Sequence, residues 1–160
     1  DKSVFPGLQG VPHANNIAAA AIAFWEAAYK KFKNYARQIV KNAKALANEL
    51  KKLGWRIVSG GTDTHLFLID TAKRGILGKE AGELLEKAGI IVNKNTIPFD
   101  VNSPFNPSGI RLGTPVVTTR GMKEKEMKKT AVWIDEVLSR KVRPTTIKKE
   151  VIKLCKKFRI

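Results

Sequence analysis

Arg111 is the residue of this chain whose chemistry most needs explaining. It stands inside an otherwise apolar run, Ile110-Arg111-Leu112, between Gly109 and Gly113. A guanidinium in such a strand needs a partner, and it is the side chain best shaped to hold a carboxylate through two parallel hydrogen bonds. Two readings are open: the partner is a small ligand, whose approach the flanking glycines would allow, or it is an internal aspartate. A second feature is the opening FPGLQGVP over residues 5–12, a constrained loop of two prolines and two glycines that leads into a helix and could offer backbone N–H groups to a phosphate. The third is residues 95–108, with three prolines, Asp100 and several asparagines and serines, longer than a plain connection requires and therefore a candidate binding loop. The two histidines, His13 and His65, are far apart, and no nucleophile-elbow, phosphate-loop or zinc-protease pattern is present. The single cysteine, Cys155, has no internal disulfide partner, which points to a reducing, cytoplasmic setting.

The elements that must carry these groups follow from periodicity. An alanine-rich helix is expected over Ala14–Tyr29 and a second over Asn34–Leu53, whose stripe Ile39, Ala43, Leu46, Leu50 and Leu53 ends at Gly54. The period then changes to that of strands: Trp55–Val58, a turn at Ser59–Asp63, and His65–Asp70, a hairpin-like pair. A short helix over 79–88 and a third strand over Ile90–Asn93 precede the long loop. A strand over Gly109–Thr114, an amphipathic helix over Lys123–Leu138 and a last helix introduced by Pro144 complete the chain. The expected fold is α+β, a short, mostly antiparallel sheet covered by helices and preceded by long linking helices. The expected organisation is a loop and linking helices over 1–52, a small α/β domain over 53–139 and a basic helix over 140–160.

The net charge of +16 is concentrated in two places. Residues 30–52 carry +7 and residues 140–160 carry +8, which leaves +1 for the rest, including every glycine- and proline-rich segment. Lysine is a good helix former, so solvated helix faces are the plainer reading and a polyanion-binding surface the other. Aromatic residues are scarcely interleaved with these lysines, so nucleic acid is not the expected partner. No apolar run approaches the roughly 20 residues of a spanning helix, and no membrane partner is expected.

Several segments together resemble one family. FPGLQGVPH at 5–13, NAKALANEL at 42–50, SGGTDTHLFLID at 59–70, GKEAGELLEKAGI at 78–90, NKNTIPFD at 93–100 and SGIRLGTPVVTTRGM at 108–122 are similar, in order and spacing, to serine hydroxymethyltransferases. The resemblance implies the C-terminal small domain of a fold-type-I pyridoxal-phosphate transferase that interconverts serine and glycine with tetrahydrofolate as one-carbon carrier, working as a homodimer. It implies that Arg111 binds the substrate carboxylate, which selects the ligand reading. It implies that Gly10 and Val11 belong to a turn lending donors to the cofactor phosphate of the partner subunit, and that Asn95, Ser103, Pro104 and Phe105 contact folate. Val11 stands where the family has glycine; its N–H survives, but a β-branched residue tolerates positive φ poorly. The family's Schiff-base lysine lies upstream of FPG, and no lysine here matches it. The expectation is therefore a fragment, inactive by itself, whose missing large domain is its first partner. The competing expectation is a catalytically dead basic module that contacts nucleic acid or another polyanion.

Overall fold

The structure, a computed structural model, describes residues 1–159 and divides into two compact units, Asp1–Asn34 and the chain from Tyr35 onward. The first unit holds an irregular turn over Ser3–Leu8, helix α1 (Ala14–Ala28) and the first residues of α2 (Lys30–Lys52). Tyr29 is extended, with ψ 152°, and separates the two helices. Alanine gives α1 its helical propensity, but the helix buries none of its residues. Ile17, Ile22, Phe24 and Trp25 are all more than half exposed.

In the second unit α2 turns a stripe of Ala43, Leu46, Ala47 and Leu50 into the core and its lysines outward. Gly54, at φ +84°, ends it: the Trp55 N–H reaches the Leu50 carbonyl at 3.0 Å, a geometry that favours glycine at the turn. Strands β1 (Arg56–Ile57), β2 (Leu66–Asp70), β3 (Asn93–Asn95) and β4 (Gly109–Gly113) form one sheet in the order β1-β2-β4-β3, antiparallel throughout. Alternation sends Phe67 and Ile69 of β2 and Ile110 and Leu112 of β4 to one face. There they join α3 (Gly78–Lys87), α5 (Glu124–Leu138) and α6 (Pro144–Lys157) in a single core. The α+β expectation holds.

Buried polar groups tie the layers. Asp135 of α5 accepts hydrogen bonds from Trp55 Nε1 at 3.0 Å, Ser139 Oγ at 3.1 Å and Lys141 Nζ at 2.8 Å, with Arg74 at 3.4 Å and stacked 4.3 Å above the Trp55 ring. Burial works against its charge, but these donors and the Lys141 ammonium outweigh it and hold the carboxyl below the usual range. Asn42, fully buried in α2, donates to Thr118 Oγ1 and to the Met122 carbonyl, at 2.8 and 2.9 Å.

Three expectations need correction. Helix α2 starts at Lys30, four residues before Asn34, because only Tyr29 breaks the helical path. The third strand lies at Asn93–Asn95 and not at Ile90–Asn93: Ile90 and Val92 pack on the core as a connector, and pairing begins only where Asn93 meets Arg111. A helix, α4 (Pro115–Thr119), forms where periodicity gives none.

Candidate functional site

Ile110 and Leu112 point into the core, so Arg111 between them stands on the opposite face of β4, exposed. Its register partners are Leu68 on β2 and Asn93 on β3, and its Nη2 donates to Asn93 Oδ1 at 3.3 Å. Among the described residues no carboxylate lies within ion-pair distance of it. The internal-aspartate reading is thus not realised, and most of the five guanidinium donors face outward. Gly109 does not serve ligand approach as the sequence suggested. It is buried, and a Cβ there would stand 2.6 Å from the Ile69 carbonyl oxygen and 2.7 Å from Ile97 Cγ2, so glycine is required for the strands to close.

Asn95, two residues from Asn93, shares the Arg111 face of the sheet and pairs with Gly109. Its Nδ2 donates to the Thr96 carbonyl at 2.7 Å, which leaves its side-chain oxygen to other donors. The chain then leaves the sheet as a loop over residues 96–108 organised by one carboxylate. Asp100 accepts from the backbone N–H groups of Ile97, Asn102 and Ser108 at 3.1, 2.9 and 2.9 Å, and from the Ser108 hydroxyl at 2.6 Å. The Ser108 hydroxyl, offset in part by desolvation and reinforced by the three amides, holds the Asp100 carboxyl far below the usual carboxylate range. Lys94 Nζ ties the far side of the loop by donating to the Phe105 carbonyl at 2.9 Å, and Phe105 N–H donates to Ser103 Oγ at 3.3 Å. So held, the loop leaves Ser103, Pro104 and Phe105 exposed, with Phe99 and Val101 beside them almost wholly in solvent.

Arg111, Asn95 and the 103–105 segment are thus carried by one strand pair and the loop that joins it. Gly10 and Val11 lie in the first unit, in the exposed stretch between Leu8 and α1. Neither adopts positive φ, so valine fits there without backbone strain, and the concern its β-branch raised does not arise. His13 and His65 are exposed, and no cluster of histidine, cysteine or carboxylate among the described residues could hold a metal. Sequence reasoning placed Asp100 in the candidate loop without giving it a role, and it gave none to Asn93 or Ser108. The alternation Asn93-x-Asn95 beside a strand arginine was a usable signal for Asn93; nothing local pointed to the bond between Asp100 and Ser108.

A match to the family of serine hydroxymethyltransferases covers residues 1–134. The chain belongs to that family. Membership supports a serine hydroxymethyltransferase-like function, a transferase of one-carbon metabolism, and it takes in every candidate residue named above. The matched residues end within α5, so all of α6 lies beyond them.

The family is linked to pyridoxal phosphate and tetrahydrofolate, and the described residues can be tested against the first. An amine that condenses with the aldehyde of that cofactor works from a desolvated setting that lowers its proton affinity. Every described lysine is exposed. An apolar cavity of about 150 Å³ is lined by such residues as Leu46, Leu112, Met127, Trp133 and Val151, with no lysine or carboxylate. These residues by themselves do not fit the cofactor, and no chemical step through it is assigned to them. No helix among the described residues is long and apolar enough to cross a membrane.

Proposed function

We propose that the chain is the C-terminal portion of a cytoplasmic, homodimeric serine hydroxymethyltransferase of fold type I, and that it supplies the substrate-carboxylate and folate-facing parts of a site completed by a large domain. The carrying observation is Arg111: a guanidinium fixed on a core-anchored strand, exposed, free of any carboxylate among the described residues and steadied on one side by Asn93. In this reading the fork takes the carboxylate of serine or glycine in two parallel hydrogen bonds, which orients the amino acid. Asn95, Ser103, Pro104 and Phe105 present amide, hydroxyl and aromatic surface to the flat rings of tetrahydrofolate. Gly10 and Val11 offer backbone N–H groups to the phosphate of pyridoxal phosphate, which supplies the electron sink when bound by the complete enzyme. Taken alone, the chain is inactive, for want of a lysine suited to the cofactor.

The test is made in the enzyme that carries this chain. Arg111→Ala is expected to raise the serine KM about 10- to 100-fold, as loss of a charge-assisted pair implies, with a smaller rise for Arg111→Lys, which keeps the charge but not the fork. A serine dependence unchanged in both variants would take Arg111 out of the site. The 160-residue chain, given pyridoxal phosphate, serine and tetrahydrofolate, is expected to show no turnover.

A further inference from the structure

Helix α6 lies wholly outside the family-matched residues, yet it is firmly part of the fold. Its inward stripe explains that: Ile147 is buried, Val151, Leu154, Cys155 and Phe158 pack against the core, and Arg120 Nη2 donates to the Cys155 carbonyl at 3.0 Å near the helix end. Packing does not explain the outward stripe. Lys148, Lys149, Lys153, Lys156 and Lys157 are all exposed, and among the described residues none of them is in an ion pair. Just upstream, by contrast, Arg140 and Lys141 are engaged by Glu80 and Asp135. Lys149, Lys153 and Lys156 recur at four- and three-residue spacing and therefore follow one line, about 4.5 to 6 Å apart along the axis, with Lys148 and Lys157 flanking it.

We propose that the outward face of α6 is a docking surface for the sugar–phosphate backbone of duplex nucleic acid, bound without sequence preference. Several polyanions share that charge, and the structure separates them. An anionic lipid surface would be held by an amphipathic helix that sinks its apolar face into the bilayer, but the apolar face of α6 is occupied by the core. An acidic protein partner would need desolvated aromatic or aliphatic anchors, and Ile152, 47% exposed, is the one large apolar side chain of α6 in solvent. A single strand is held by aromatic stacking, and no aromatic stands on that face: Phe158 turns toward the core. A backbone rich in phosphate asks only for a regular row of ammonium groups, which is what α6 presents.

A chain of net charge +16 binds any polyanion weakly at low salt, so the test must separate surface from net charge. Anisotropy of labelled duplexes of about 20 base pairs, RNA and DNA, would be followed with the full chain between about 50 and about 200 mM salt. Two charge-matched variants are compared: Lys149→Gln with Lys153→Gln and Lys156→Gln on α6, and Lys30→Gln with Lys31→Gln and Lys33→Gln on α2. Glutamine keeps helical propensity, and circular dichroism verifies the fold. The α6 variant is expected to bind about tenfold more weakly or worse, with a log–log salt slope smaller by about 2 to 3, while the α2 variant stays within about twofold of the parent. Arginine at the same three α6 positions is expected to retain binding. Equal loss in the two glutamine variants, no duplex binding at the lowest salt, or α6-dependent binding to phosphatidylserine vesicles in preference to duplex would each overturn the proposal.

Discussion

At the scale of single residues, Asp100 deserves the same weight as Arg111, because the loop over residues 96–108 takes its shape from that one carboxylate. Its proton affinity is depressed in the folded chain, so its contribution is fully present above the ordinary value of about 4 and is lost as pH falls below it. Acid is therefore expected to loosen the loop before it unfolds the sheet. Amide hydrogen exchange would show this as selective loss of protection at Asn102 and Ser108 that begins only below about pH 4 and deepens with further acid, and Asp100→Asn should produce the same loss at neutral pH. Protection that declines evenly across β2 and the loop would show that Asp100 does not control the loop. Half of this device was legible in the sequence. Asp100 to Asn102 and Ser103 to Phe105 are the short side-chain-to-backbone turns that such residues form locally. The bond to Ser108 spans eight residues and comes from the loop folding back, which no local propensity encodes. Arg111 was legible because a charge inside an apolar strand has few explanations.

At the scale of elements, the helices followed from their period and the central strands from alternation, since both patterns are set by which face must be dry. Helix α4 was hidden: Pro115-Val116-Val117-Thr118-Thr119 is β-branched and has poor helical propensity. It forms because tertiary bonds override that preference: Asn42 Nδ2 donates to Thr118 Oγ1 and the Thr114 hydroxyl donates to the Ile39 carbonyl, both at 2.8 Å. The strand after α3 was misplaced for a related reason, since Ile90 and Val92 are apolar for packing and not for pairing. A close contact between elements lies at β4. Gly109→Ala would drive a methyl against the Ile69 carbonyl and Ile97 and is expected to cost about 3 kcal/mol, measured by urea unfolding. A loss below about 0.5 kcal/mol would mean that β2 and β4 do not approach as described.

At the scale of the whole molecule, α6 is both wall and surface. It helps line the cavity through Val151, Leu154 and Cys155, and it closes the core beside α3 and α5. A chain ending at Ser139 is expected to lose at least about 3 kcal/mol, lowering Tm by about 10 °C in a thermal melt followed by circular dichroism. An unchanged melt would make the helix an ornament. The sequence located both the +8 segment and its apolar stripe, Ile147, Val151, Leu154, Cys155 and Phe158, because helical period marks the side that must be dry; the fold adds that this stripe packs on the core. Two selective regimes therefore run along one helix. Codons for Lys148, Lys149, Lys153, Lys156 and Lys157 can change with little penalty to folding, whereas a stop codon before Pro144 strips the cover from the core that Ile147, Val151 and Leu154 close. A helix of this kind is easily kept and hard to discard: its inner side holds it in place, whatever becomes of the use made of its outer one.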